Sequence, residues 1–349
     1  MSRIITLGEI MGRLAAPGFK RFQQAMPGSV DVTFAGAEAS VAASLAYLGG
    51  DAAFVTALPD HAIADACVAN LRGIGVDTKH ILRVPHGRLG LYFLEHGTNQ
   101  RSGNVIYDRE GSAMAITPPE AYPWPRIFEN AGWFHISGIT PAISRNAAAV
   151  ALTAVREAAK RGLQISCDMN YRSKLWQWDP ALKPRELATH TMRELLPLVD
   201  LFIGGREDVE AILGLDGAAS LEDLVRQITQ QFPRLQRVAM TLREGISATH
   251  NNFGGLLYDR HANQFCHAPQ PGHLYPITSI VDRLGAGDAF TAGLIHALTT
   301  PKLAAPQTAI AFATAAGCLA HSIEGDFNFS TRAEIEALMN GSTSSRVRR

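Results

Sequence analysis

The sequence predicts an α/β protein, an open and mostly parallel β-sheet flanked by helices, with a small second sheet. Three observations carry that prediction. Short apolar segments recur at residues 4–7, 53–58, 134–139, 163–167, 201–203 and 238–242, with the length and composition of strands buried on both faces. Between them lie stretches of helical spacing at 39–48, 63–74, 146–160, 209–213 and 221–228, and such alternation is that of a parallel sheet covered by helices. Two segments break the rhythm, 13–33 and 87–113. In the second, 89–94 and 104–107 read as strands around the polar turn Gly97-Thr98-Asn99, so a small separate sheet is expected there.

The chain then closes with a largely helical end, through 298 and from 303 to 320, followed by a polar tail over 341–349 to which no function is assigned. Neither an internal repeat nor a low-complexity segment is visible. One domain over 1–340 is expected, with lid segments at about 13–35 and 87–113.

At 349 residues, 46% hydrophobic and 18% charged, the chain has the composition of a soluble globular protein. Thirty-two basic residues balance thirty-two acidic ones, which points away from nucleic-acid or membrane-surface partners. Any anionic ligand must therefore be met by local charges. Cys67, Cys167, Cys266 and Cys318 are widely spaced, so neither a zinc cluster nor a disulfide framework is indicated. The first apolar run is too short for a signal peptide or a membrane span, and a cytoplasmic protein is expected.

The most informative stretch is Asp282-Arg283-Leu284-Gly285-Ala286-Gly287-Asp288-Ala289-Phe290. Small residues at Gly285, Ala286 and Gly287 let a ligand approach the backbone, and the helix start that follows offers unpaired N–H groups and a positive dipole end. That combination makes an anion hole. A carboxylate at its lip repels a phosphate but makes sense as the acceptor of a proton from an attacking hydroxyl. Taken alone, so short a pattern also suits an acid that caps a helix. Ligands of open parallel sheets collect at the carboxyl ends of the strands, where Gly8-Glu9, Ser137-Gly138-Ile139, Asp168-Met169-Asn170 and Gly204-Gly205 would converge.

Together with Phe34-Ala35-Gly36-Ala37-Glu38-Ala39-Ser40-Val41-Ala42, the late motif resembles the ribokinase-like, PfkB-type carbohydrate kinases over about residues 4–338. The resemblance implies an α/β core with a β lid, ATP as phosphoryl donor, a magnesium ion and a sugar hydroxyl as acceptor. It puts Asp288 on the catalytic base, Gly285, Ala286 and Gly287 on the anion hole, and Asp282 near phosphates and metal. Within the family the chain is most similar to 2-keto-3-deoxygluconate kinases, through Gly36-Ala37-Glu38-Ala39, residues 107–113, Ser137-Gly138-Ile139-Thr140 and residues 168–176. Planar guanidinium forks suit the carboxylate of a keto acid, which makes Arg109 and Arg172 the candidate clamp, although surface ion pairs are the commoner arginine role. Gly36, Ala37, Glu38 and Tyr107 complete the expected sugar contacts, Glu38 being equally suited to cap a helix.

The chain departs from the family pattern at Ala35 and Ser40, where Gly and Asn are usual, and at Gly205-Arg206-Glu207-Asp208, where Asn-x-x-Glu is usual. There Asp208 is expected to reach the metal through water. Near the nucleotide, the family's glycine pattern is altered to a run from Thr241 to Ala248, with Gly205, Thr241, Arg243, Gly245 and Asn328 as candidate contacts. The expected activity is ATP-dependent phosphorylation of the terminal hydroxyl of a sugar acid, with a homo-oligomer through the lid as a further expectation. The rivals are a neutral-sugar kinase such as one for fructose, and a silent sugar or nucleotide binder of the same fold. A nicotinamide dehydrogenase is set aside, because the first turn lacks Gly-x-Gly-x-x-Gly.

Overall fold

The computed structural model describes residues 2–215 and 217–342. Its strands are β1 (Arg3–Leu7), β2 (Met11–Ala15), β3 (Asp31–Ala35), β4 (Ala52–Pro59), β5 (Ile81–Val84), β6 (Gly90–Glu95), β7 (Asn104–Asp108), β8 (Ala131–Ser137), β9 (Gln164–Asp168), β10 (Leu201–Gly205), β11 (Arg237–Ser247), β12 (His250–Asp259), β13 (Gln264–Ala268) and β14 (Tyr275–Ile277). The helices that matter below are α1 (Ala37–Tyr47), α2 (Ala62–Ile74), α3 (Arg145–Lys160), α4 (Pro184–Leu195), α5 (Arg206–Leu213), α6 (Leu221–Gln231), α7 (Ala286–Thr299), α8 (Pro306–Ala320) and α9 (Arg332–Met339).

A ten-stranded sheet runs in the order β13-β12-β11-β10-β9-β8-β1-β4-β5, with β14 also paired to β12. From β11 to β5 every pairing is parallel, whereas β12, β13 and β14 are antiparallel. Successive residues of a strand point to opposite faces. Accordingly Ile5, Phe134 and Phe202 join one core with α3 to α6, while Ile4, Trp133, Leu201 and Ile203 join another with α1, α7 and α8. Each fully buried side chain of this size contributes about 1.5–3 kcal/mol, so both faces of the sheet must stay covered.

The small sheet has the order β3-β2-β6-β7, with β2 and β6 parallel and the two edges antiparallel. Only residues 8–10 separate β1 of the large sheet from β2 of the small one. That link is tightly enclosed: a Cβ on Gly8 would lie 2.1 Å from the Glu38 Oε2.

Three features go beyond the sequence reading. Helix α4 buries Leu187, Ala188, Thr191, Met192 and Leu195, a helical stripe in a polar stretch. Strand β5 adds an edge. The antiparallel extension was hidden by Gly254 and Gly255 inside β12, where a Cβ on Gly255 would meet Thr314 Oγ1 at 2.5 Å and Phe290 at 2.8 Å. There α7 and α8 press too closely on the strand for any side chain.

Candidate active site

A cavity of about 1110 Å³ opens at the carboxyl ends of the parallel strands and is walled on the other side by the small sheet. The strand ends supply Glu9, Asp168, Asn170, Gly204 and Gly205, and the small sheet supplies Met11, Tyr92, Val105 and Tyr107.

Helix α7 begins at the floor of this cleft. Its N-cap, Gly285, has φ +80°, and a Cβ there would lie 2.1 Å from the Asp326 carbonyl oxygen, so both conformation and space demand glycine. The first intrahelical bond is the one donated by Ala289 to Gly285 O, which leaves the amides of Ala286, Gly287 and Asp288 without helical partners. Gly285, Gly287 and Asp288 line the cleft. Arg243, held over the Phe253 ring at 5.6 Å, brings its Nη2 to 3.4 Å from where a Gly287 Cβ would stand. An anion seated on these amides therefore meets a guanidinium from the opposite strand.

Acids and guanidinium groups are balanced in the cleft. Burial pushes the Asp288 carboxyl well above its ordinary range, Asp168, Asp326 and Glu38 add to the shift, and Arg172 opposes it. Asp168 is pushed up to about 7, first by burial and then by Asp208, against the Asn170 amide, Arg172 and Arg243. Asp208 is raised by burial and countered by Arg172, and it accepts the Tyr171 amide at 3.3 Å. A carboxyl made more basic in this way suits proton acceptance from an alcohol.

The other sequence candidates fall into two groups. Gly36, Ala37, Tyr107, Arg109, Arg172, Gly205, Asp208 and Thr241 line the same cleft. Arg109 is ion-paired with the buried Glu9 and lies 5.7 Å over the Tyr107 ring, so its charge is already answered within the protein. Gly36 cannot carry a side chain, since a Cβ would lie 2.1 Å from the Glu9 carbonyl oxygen.

Four candidates do not face the cleft. The Glu38 carboxylate is fully buried and accepts from Ser137 N at 2.9 Å, Ser137 Oγ at 2.7 Å and Thr140 Oγ1 at 2.8 Å, tying α1 to β8 instead of touching a sugar. Asn328 is buried, and its Oδ1 accepts the Ser330 amide at 3.0 Å, a loop cap outside the cleft lining. Gly245 and Asp282 border a separate recess of about 520 Å³ near residues 94–105. The Asp282 carboxylate is buried and accepts from Arg13 and from the amides of Leu284 and Gly325, contacts within the protein, and it is not part of the cleft lining. Sequence reasoning placed Asp168 at the ligand edge of the sheet without assigning it a role, and gave no role to Asp326, Tyr92 or Arg13.

Comparison with known proteins agrees with this geometry. Residues 1–331 match the model of the pfkB family carbohydrate kinases. The chain is 31% identical over 340 residues to the 2-dehydro-3-deoxygalactonokinase of Haloferax volcanii, covering 97% of each, and 25% identical over 295 residues to the 2-dehydro-3-deoxygluconokinase of Bacillus subtilis, covering 84% and 82%. Its fold superposes on the crystal structure of the 2-dehydro-3-deoxygluconokinase of Thermotoga maritima with a TM-score of 0.88, at 39% identity, over 98% of this chain and all of that one. With the family match running over residues 1–331 and the relatives aligned over nearly the whole α/β frame, the chain belongs to the pfkB family of carbohydrate kinases.

Proposed function

We propose that this kinase transfers the γ-phosphoryl group of ATP to the terminal primary hydroxyl of a sugar acid, with 2-keto-3-deoxygluconate as the first choice. The observation that carries the reading is Arg172. It lines the cleft with Asp288 and, among the described residues, has no ion-pair partner, whereas Arg109 is neutralised by Glu9. The Arg172 charge offsets Asp288, Asp168 and Asp208 at longer range without a direct ion pair to any of them, so its planar fork stays open to a carboxylate on the acceptor molecule. The names of the relatives from Haloferax and Thermotoga, both kinases of keto-deoxy sugar acids, support it.

In this reading Asp288 takes the proton of the attacking hydroxyl, and the amides of Ala286, Gly287 and Asp288, with Arg243, hold the oxygens of the migrating phosphoryl group. Tyr107 walls the sugar, Gly36 and Ala37 admit it close to the backbone, and the small sheet excludes water from the cleft. The residues fit a magnesium ion through Asp208 and Asp168, hard oxygen donors that burial makes more basic, Asp208 adding to the shift of Asp168. When bound, the ion would neutralise phosphate charge, and it would keep several waters, since no three donor side chains cluster among the described residues.

A coupled ATP-consumption assay over keto-deoxy sugar acids of the gluconate and galactonate series and over neutral sugars tests the proposal. Turnover confined to the acids supports it. Preference for fructose would replace it with the neutral-sugar reading, and absence of ATP consumption with every acceptor would leave a binding protein.

A further inference from the structure

Arg13 lies on β2, between Thr33 of β3 and Tyr92 of β6. It is only 2% exposed, and its guanidinium leaves the small sheet to reach two acids on two separate loops. Nη1 donates to Asp326 at 2.6 Å, and Nη2 donates to Asp282. The Tyr92 hydroxyl donates to the same Asp326 oxygen at 2.8 Å.

The two acids bracket the start of α7. Asp282 also accepts the amides of Leu284 at 3.0 Å and Gly325 at 3.1 Å, so it binds the loop before the anion hole to the loop that carries Asp326. The Asp326 carbonyl in turn packs against Gly285, at the distance that forbids a Cβ. One planar fork thus holds the loop that leads into Gly285 and the loop packed against it, and anchors both to the small sheet. A lysine cannot do the same, because a single ammonium on a flexible stem does not present a rigid fork to two carboxylates at once. Removing the guanidinium altogether leaves two buried acids uncompensated.

We propose that Arg13 is a positioning residue for phosphoryl transfer: it fixes the amides of Ala286, Gly287 and Asp288 by clamping the loops on either side of them, while touching neither ATP nor the acceptor. The inference rests on the reading of that loop as the phosphoryl-transfer hole. It does not rest on which sugar is phosphorylated, so its test uses whichever acceptor the wild type turns over best.

Steady-state kinetics of Arg13→Lys and Arg13→Ala, with circular dichroism and thermal unfolding of each, decide the matter. Displacing a reacting group by about 1 Å costs on the order of a hundredfold in rate. Folded Arg13→Lys is therefore expected to lose about 10- to 100-fold in kcat, with KM for ATP and acceptor within about threefold of the wild type. In Arg13→Ala, millimolar guanidinium chloride is expected to restore kcat several-fold where equal potassium chloride does not. Turnover within about twofold of the wild type in either folded variant overturns the proposal, as does a loss that follows the folded fraction and ignores guanidinium. Should both variants fail to fold, Asp282→Asn decides: a kcat loss at unchanged KM supports the clamp, and wild-type kcat overturns it.

Discussion

Gly285→Ala tests whether the start of α7 is as tightly specified as its surroundings suggest. The backbone at this position has φ +80°, and a non-glycine residue in that region costs about 1–2 kcal/mol. The added Cβ would also lie 2.1 Å from the Asp326 oxygen and 2.8 Å from its carbonyl carbon. Real contacts essentially never fall under 3.0 Å, so the Asp326 backbone must retreat by about 1 Å, and overpacking of this kind costs about 1–3 kcal/mol. The two together come to about 2–5 kcal/mol, a fall in Tm on the order of 4–10 °C at about 2 °C per kcal/mol for a long chain. Because the displaced carbonyl belongs to the residue held by Arg13 and Tyr92, kcat is expected to fall about a hundredfold as well. Differential scanning calorimetry and initial-rate kinetics on the same preparation give both numbers. A variant that melts within about 1 °C of the wild type and keeps kcat within about twofold would refute the reasoning.

Asp288→Asn is expected to lower kcat by about a hundredfold or more while ATP still binds, measured by rapid-quench kinetics and calorimetric titration, and near-normal turnover would remove it from the role of base. Arg172→Ala should raise KM for acidic acceptors by about 10- to 100-fold and leave neutral sugars unaffected; equal losses on both would dissolve the clamp. His135, 1% exposed and bonded at 2.9 Å to Ser166 Oγ, has its pKa lowered to about 3 by burial, against an ordinary value of 6.5. A depressed histidine gives stability that is fully present above 6.5 and lost as pH falls towards 3, because the unfolded chain takes up the proton first. Thermal unfolding of His135→Asn should therefore vary less steeply with pH between about 6.5 and 4 than that of the wild type, and identical slopes would contradict the assignment.

The parallel part of the large sheet was legible because strands buried on both faces read as apolar runs, as at Leu201 to Ile203 of β10. The antiparallel edge was not, because β12 spends positions on Asn251, Asn252, Gly254 and Gly255, and the reason for Gly255 lies in helices packed against it from far along the chain. The same distinction holds in the cleft. The α7 loop is a local pattern, and its small residues announce themselves. Glu38 looks like a ligand in a helix's first turn until Ser137 and Thr140, about a hundred residues on, are seen to claim its carboxylate. Arg13 gave no signal at all, since its partners stand 269 and 313 residues away. Polar contacts of that span have no period or spacing to read.

The link at residues 8–10 leaves very little play between the two sheets. With Gly8 pressed on the Glu38 carboxylate, Glu9 paired to Arg109 and Gly36 packed against the Glu9 carbonyl, a tilt of the small sheet must be absorbed as torsion in residues that are themselves packed solid. A door hung on so stiff a pivot swings only through a narrow arc. Acceptors bulkier than the cleft admits would then be refused at the hinge, before any atom of the catalytic loop is reached.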